Sequence, residues 1–91
     1  MKFEKVFKEK VATSCMLIKK LRIEEGISQK NLADRAGLDY TAISKIETRG
    51  VCSAATLFSL ISALGYTLPQ FFKEQEKFDS QIISAVERKY A

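Results

Sequence analysis

The chain has no histidine and no tryptophan, and only one proline and two cysteines in 91 residues. Without histidine it lacks the side chain most often used as a general base near neutral pH and as a metal ligand. The thiols Cys15 and Cys52 stand far apart in sequence, outside any C-x-x-C spacing, and make a poor zinc site. There is no glycine-rich phosphate loop and no nucleophile–base pairing, and Glu24 and Glu25 read as ordinary surface carboxylates. These absences argue against an enzyme, and against a metal or other cofactor. Glycine and proline are also missing after Pro69, so no flexible linker divides the chain.

A long unbroken hydrophobic run is missing too. Val51 to Phe72 carries no charge, but Ser53, Thr56, Ser59, Ser62, Gly65, Thr67 and Pro69 interrupt it. A spanning helix needs about 20 predominantly apolar residues, so no membrane role is expected. The first residues are charged throughout and give no secretory leader. Both cysteines are therefore read as reduced thiols of a cytoplasmic protein, with a redox switch at Cys52 as the alternative.

What is present is ordinary globular material, 46% hydrophobic and 29% charged, enough for one small domain and not for a disordered chain. So small a domain has a thin stability margin, which oligomerisation would widen. The net charge of +4 permits nucleic-acid binding without requiring it. Its excess is uneven: residues 1–20 hold six Lys against two Glu, whereas residues 21–50 balance five basic against five acidic side chains.

The chain is organised around Ser28 to Gly50, SQKNLADRAGLDYTAISKIETRG. Ser28 can cap a first short helix, on which Leu32, Ala33 and Ala36 share one face. Gly37 falls where a left-handed residue would turn the chain. Asp39 can cap a second helix, with Ile43 and Ile46 on one side and Tyr40, Thr41, Ser44, Lys45 and Thr48 on the other. A narrow apolar face and a polar outer face at this spacing predict a helix-turn-helix.

Before it, Phe3, Val6, Phe7, Val11, Ser14, Ile18 and Leu21 recur at helical steps, and a first helix is expected to end at Gly26 with Ile27 turned into the core. Lys2, Lys5 and Lys8 read as a solvated face. After it, residues 48–53 are expected to form a loop, and a helix from Ala54 to Leu64 to follow, capped by Ser53 and stopped at Gly65. Its inward set is Leu57, Leu60, Ile61 and Leu64. The opposite face, Ser53, Thr56, Ser59 and Ser62, is small and uncharged and suits a subunit contact. Thr67-Leu-Pro-Gln70 is a capping box for a last helix, whose stripe at 71, 78, 82, 86 and 90 must be buried, either on the N-terminal extension or across a dimer axis.

The run LIKKLRIEEGISQKNLADRAGLDYTAISKIETRG, followed by LFSLISALG and an FF pair, resembles the Cro/repressor-type (XRE) helix-turn-helix family. The likeness rests on SQ-x-x-LA, Gly37, Ile43–Glu47 and Gly50, and covers about residues 11–72. It implies an all-α, five-helix, lambda-repressor-like DNA-binding domain, with helical extensions at 1–10 and 73–91. The segment Glu47-Thr48-Arg49-Gly50 is one residue longer than the family's E-N-G form; longer loops occur in restriction–modification controller proteins, which the chain also resembles.

The resemblance implies a sequence-specific transcriptional regulator, working as a homodimer on a palindromic operator in double-stranded DNA. Carried over by position, Tyr40, Thr41, Ser44 and Lys45 would read base edges. Gln29 would clamp a phosphate, with Arg22, Lys30, Arg35, Thr48 and Arg49 as further phosphate contacts. Arg22 and Glu47 would pair to tie the first helix to the third. An antitoxin, which would bind a toxin partner through the C-terminal extension, stays open, as does a protein-interaction module that kept the fold but not DNA binding, supported by the balanced charge of residues 21–50.

Overall fold

Runs of strong helix formers, broken where glycine or a capping residue interrupts them, decide the architecture. The computed structural model describes residues 2–90, and the side chains of Lys2, Phe3, Glu4, Phe7 and Tyr90 fall outside the described set. Five helices follow in order: α1 Lys2–Glu24, α2 Gln29–Ala36, α3 Tyr40–Arg49, α4 Ala54–Ala63 and α5 Leu68–Tyr90. No strand occurs among the described residues. This is the all-α, five-helix fold that the sequence led us to expect. Residues 2–10 are the opening turns of a continuous α1.

The helix ends follow local chemistry. Ser28 Oγ accepts from the Asn31 N–H at 3.0 Å, and Ser53 Oγ from the Thr56 N–H at 3.1 Å. The capping box closes reciprocally: the Gln70 N–H donates to Thr67 Oγ1 at 3.3 Å and the Thr67 N–H to Gln70 Oε1 at 2.9 Å.

Two expectations need correction. Asp39 stands at the start of α3 with an extended backbone, but its carboxylate accepts no capping bond. The Ala42 N–H instead donates to the Asp39 main-chain carbonyl at 3.0 Å, which leaves the side chain in solvent. Thr48 and Arg49 are not loop residues; they are the last residues of α3. The helix continues until Gly50, whose φ of 69° lets the chain turn off while its N–H still donates to the Ile46 carbonyl at 2.9 Å. A Cβ at Gly50 would lie 3.4 Å from Ala12 of α1, so the chain passes close over the first helix there.

The core is shared by all five helices. Leu17 and Ile18 from α1, Leu32 from α2, Ile43 from α3, Leu60 and Ile61 from α4 and Phe71 from α5 are each at most 1% exposed. α1 and α5 also meet outside this core. Lys10 Nζ lies 2.8 Å from Asp79 Oδ2, and the Lys20 ammonium sits 5.9 Å from the centre of the Phe78 ring. The apolar stripe of α5 is thus buried at Phe71 and half-buried at Phe78 and Ile82, but Val86 is exposed and Tyr90 is outside the described residues. Val6 and Ile83 are exposed as well, while Phe3 and Phe7 are outside the described side chains. Among the described side chains, packing within one chain therefore leaves Val6, Ile83 and Val86 of the extensions uncovered. The radius of gyration, 13.5 Å, exceeds the ~12 Å expected for a compact chain of this length, because helices of ~34 Å reach past the core.

No single helix among the described residues is long and apolar enough to cross a membrane. α4 and α5 reach that composition only as a pair, and the chain turns by 97° between them.

Candidate nucleic-acid interface

α2 and α3 are held at a fixed angle by a three-residue turn. Gly37 takes φ 69°, and the Leu38 N–H donates back to the Ala33 carbonyl at 2.9 Å, which satisfies a carbonyl that the end of α2 would otherwise leave orphaned. Leu32 and Ala33 bury one side of α2. Ile43 and Ile46, 1% and 7% exposed, bury one side of α3. The other side of α3 is open: Tyr40 is 52% exposed, Thr41, Lys45, Thr48 and Arg49 are exposed, and Ser44 is half-buried. Positions 40, 41, 44, 45 and 48 fall along one stripe of a helix, so the four expected base readers and Thr48 share a single surface.

Beneath that surface lies a charged anchor. Arg22 Nε donates to Glu47 Oε2 at 2.6 Å and Nη2 to Oε1 at 2.9 Å, while Nη1 donates to the Ile27 carbonyl at 2.8 Å. The pair is well shielded, with side chains 12% and 2% exposed. Burial alone would push the Glu47 carboxyl up. The hydrogen bonds from Arg22 and Gln29 outweigh it and hold the group below the usual carboxylate range. The expected Arg22–Glu47 tie between α1 and α3 is therefore present in bidentate form.

Gln29 belongs to the same cluster, since its Nε2 donates to Glu47 Oε1 at 3.0 Å. One amide N–H is committed inward; the second N–H and the amide oxygen remain, on a half-buried residue at the start of α2. Sequence reasoning missed this link, which joins positions 18 residues apart. It also missed Lys19, an exposed residue whose charge lowers the Glu47 pKa. The signal for Lys19 was available: it stands three residues before Arg22 on one helical face. Lys30 and Arg35 are exposed on α2. Among the described residues, Lys30, Arg35, Lys45 and Arg49 form no ion pair. The result is a polar ridge with uncommitted cations, pinned from behind by one buried carboxylate. No group of three or more potential metal ligands occurs among the described residues.

Residues 18–71 match the family model described as helix-turn-helix. The chain belongs to the helix-turn-helix family, in its Cro/repressor (XRE) branch. The match spans α2 and α3 with their supporting helices, and ends at Phe71, before most of α5. Among relatives, the HTH-type transcriptional regulator PuuR of Escherichia coli strain K12 is 40% identical over 63 residues, and so is that of Shigella flexneri. The matched segment is 68% of this chain but 34% of those proteins, so the chain spans about a third of the length of the curated relatives it matches. Among solved structures, the wild-type restriction–modification controller protein C.Esp1396I superposes with a TM-score of 0.73 at 29% identity, covering 79% of this chain and 95% of that one. The same protein bound to a 25 base pair operator site gives 0.72 at 30% identity, covering 76% and 92%. A further structure holds it as a tetramer on its natural 35 base-pair operator.

Proposed function

We propose that this helix-turn-helix protein is a sequence-specific DNA-binding transcriptional regulator that acts as a homodimer on a palindromic operator. One observation carries the reading: the outer face of α3 is open and polar while its inner face is locked into the core. Such a helix can enter a major groove without the protein rearranging. The solved neighbour's capture on operator DNA supports the same use of the fold.

In this reading Tyr40, Thr41, Ser44 and Lys45 meet base edges. Lys45 donates to guanine O6 or N7, and Thr41 offers a methyl to thymine and a hydroxyl to a base or phosphate. Phosphates are held by the free N–H of Gln29, by Lys30, Thr48 and Arg49, and by the unused N–H groups of Arg22. Lys19 joins this set, because it flanks Arg22 on the same side of α1. The Glu47 anchor sets the height of α3 above the backbone and carries no sequence information itself. The functional domain is the whole chain, with its core near residues 11–72 and α5 continuing beyond it, and it works in the cytoplasm.

One recognition helix reads only a few base pairs, and half-sites lie about one helical turn apart, ~34 Å. Each copy carries one such helix, α3, so a second copy would read the second half-site. The α1–α4–α5 groove is the seam that suits it. Phe58 and Phe72, each 43% exposed, flank a hollow of about 600 Å³.

Selection of bound oligonucleotides from a random pool, followed by gel shifts, tests the proposal. A two-fold symmetric consensus is expected, with affinity falling about a thousandfold between roughly 50 and 200 mM salt. No enrichment, or binding indifferent to salt, would sink it.

A second reading has its own support. Ile83 and Val86, 57% and 51% exposed, lie on the part of α5 that the family match does not reach. A protein partner, such as a toxin, would bind there and leave DNA binding intact.

A further inference from the structure

Cys15 and Cys52 come together although 37 positions separate them, with their Sγ atoms 3.7 Å apart. A disulfide bond is ~2.05 Å long, so the gap to close is about 1.7 Å. The two sides differ in stiffness. Cys15 is 1% exposed in the middle of α1, among the core residues. Cys52 is half-buried and lies in the irregular segment 50–53 between α3 and α4, where no helical hydrogen bond fixes its backbone. That segment already rests on α1 at Gly50 and Ala12. The chain between the two thiols contains the whole helix-turn-helix, α2 and α3.

We propose that Cys15 and Cys52 are a redox modification site, closed to an intramolecular disulfide by low-molecular-weight disulfides and reopened by thiols. Cys52, the more accessible thiol, loses its proton and its thiolate attacks one sulfur of the small disulfide. That S–S bond breaks, one small thiolate leaves, and Cys52 carries a mixed disulfide. Cys15 then loses its proton and attacks Cys52 Sγ, which expels the second small thiolate. Two protein thiols have given up two electrons and two protons, and one small disulfide has become two thiols. Burial pushes the Cys15 thiol up to about 12, with the neighbouring Cys52 adding to it, and burial raises Cys52 too. Both groups rest protonated, so closure takes minutes to hours. The product is a staple and not a release device. The bond forms on the core side of α3, away from Tyr40 and Lys45, and constrains the unfolded chain around the entire helix-turn-helix.

The test uses the full chain, reduced, cleared of reductant, and incubated for hours with glutathione disulfide under native conditions. Intact mass is expected to fall by two hydrogens, with both thiols lost to alkylation and recovered on adding excess thiol. The oxidised form should melt about 10 °C higher than the reduced form. Cys52→Ala should fold and show no loss of two hydrogens. A stable glutathione adduct on Cys52, closure only in denaturant, a disulfide between chains, or an oxidised form that melts lower would each overturn the proposal. These readouts need no DNA, so their failure is distinct from failure of the proposed function.

Discussion

Glu47 is the side chain on which the placement of α3 turns. It receives bonds from Arg22 on α1 and Gln29 on α2, with its carboxylate 2% exposed. Breaking such a pair on one side leaves the other charge shielded and unpaired, so Glu47→Gln should cost about 3 kcal/mol in urea unfolding. The carboxyl's pKa is lowered in the folded state, so the unfolded chain binds the proton more tightly. Its stabilising contribution is complete above the ordinary value near 4.5 and is lost as pH falls through the lower folded-state value. Acid unfolding followed by circular dichroism should show this step in the parent chain and a shallower one in Glu47→Gln. Gln29 and Lys45 separate two jobs at the same scale. Lys45 is exposed and unpaired among the described residues, so Lys45→Ala should leave stability within about 0.5 kcal/mol and change which bases are preferred. Gln29→Ala removes a bond to Glu47 as well as the proposed phosphate donor. It should weaken binding to all sequences alike and lower stability by about 1 kcal/mol. Binding titrations on a panel of operator variants distinguish the two patterns.

At the scale of the helix, two serine or aspartate caps that look equivalent in sequence are not equivalent in the fold. Ser28 accepts a bond from the Asn31 N–H, whereas Asp39 accepts none. Ser28→Ala should therefore cost about 1 kcal/mol, and Asp39→Ala only a few tenths, by thermal or urea unfolding. Equal losses would show that the Asp39 carboxylate caps α3 in solution. The same contrast explains what could be read from the chain. Caps at Ser28, Ser53 and Thr67–Gln70, the turn at Gly37 and the inward faces of α3 and α4 depend on residues within four positions of one another, and each was legible. The end of α3 was misplaced because the loop was expected to begin at Thr48, although Arg49 favours a helix and the first residue that stops it is Gly50, with its left-handed backbone. Contacts across the fold were invisible unless the family pattern supplied them. It supplied Arg22–Glu47. It did not supply Gln29–Glu47, the approach of Cys15 to Cys52 or the Lys10–Asp79 bridge, since no local rule relates positions that only packing brings together.

For the whole molecule, the proposed homodimer calls for one surface that a second copy would cover. A standard interface takes ~800 Å² from each partner, about an eighth of the 6384 Å² this chain exposes. The α4–α5 side presents Phe58, Leu68 and Phe72 next to the uncharged Ser59 and Ser62, a patch whose cost in water falls when a second copy covers it. It also holds Gln75 Oε1, a buried acceptor with no protein partner among the described residues, on the wall of the same groove. The exposed stretch of α5 at Ile83 and Val86 lies farther along that helix and is a different surface. Two substitutions tell them apart. Phe72→Glu puts a charge into the seam while leaving the buried Phe71 in place. It should give a folded monomer by sedimentation at tens of micromolar, with loss of cooperative binding to a full palindrome and only weak binding to a half-site. Ile83→Lys should leave the proposed dimer and its binding to DNA unchanged. A dimer that survives Phe72→Glu but dissociates with Ile83→Lys would move the axis to the end of α5, and with it the spacing and orientation of the two α3 helices on the duplex.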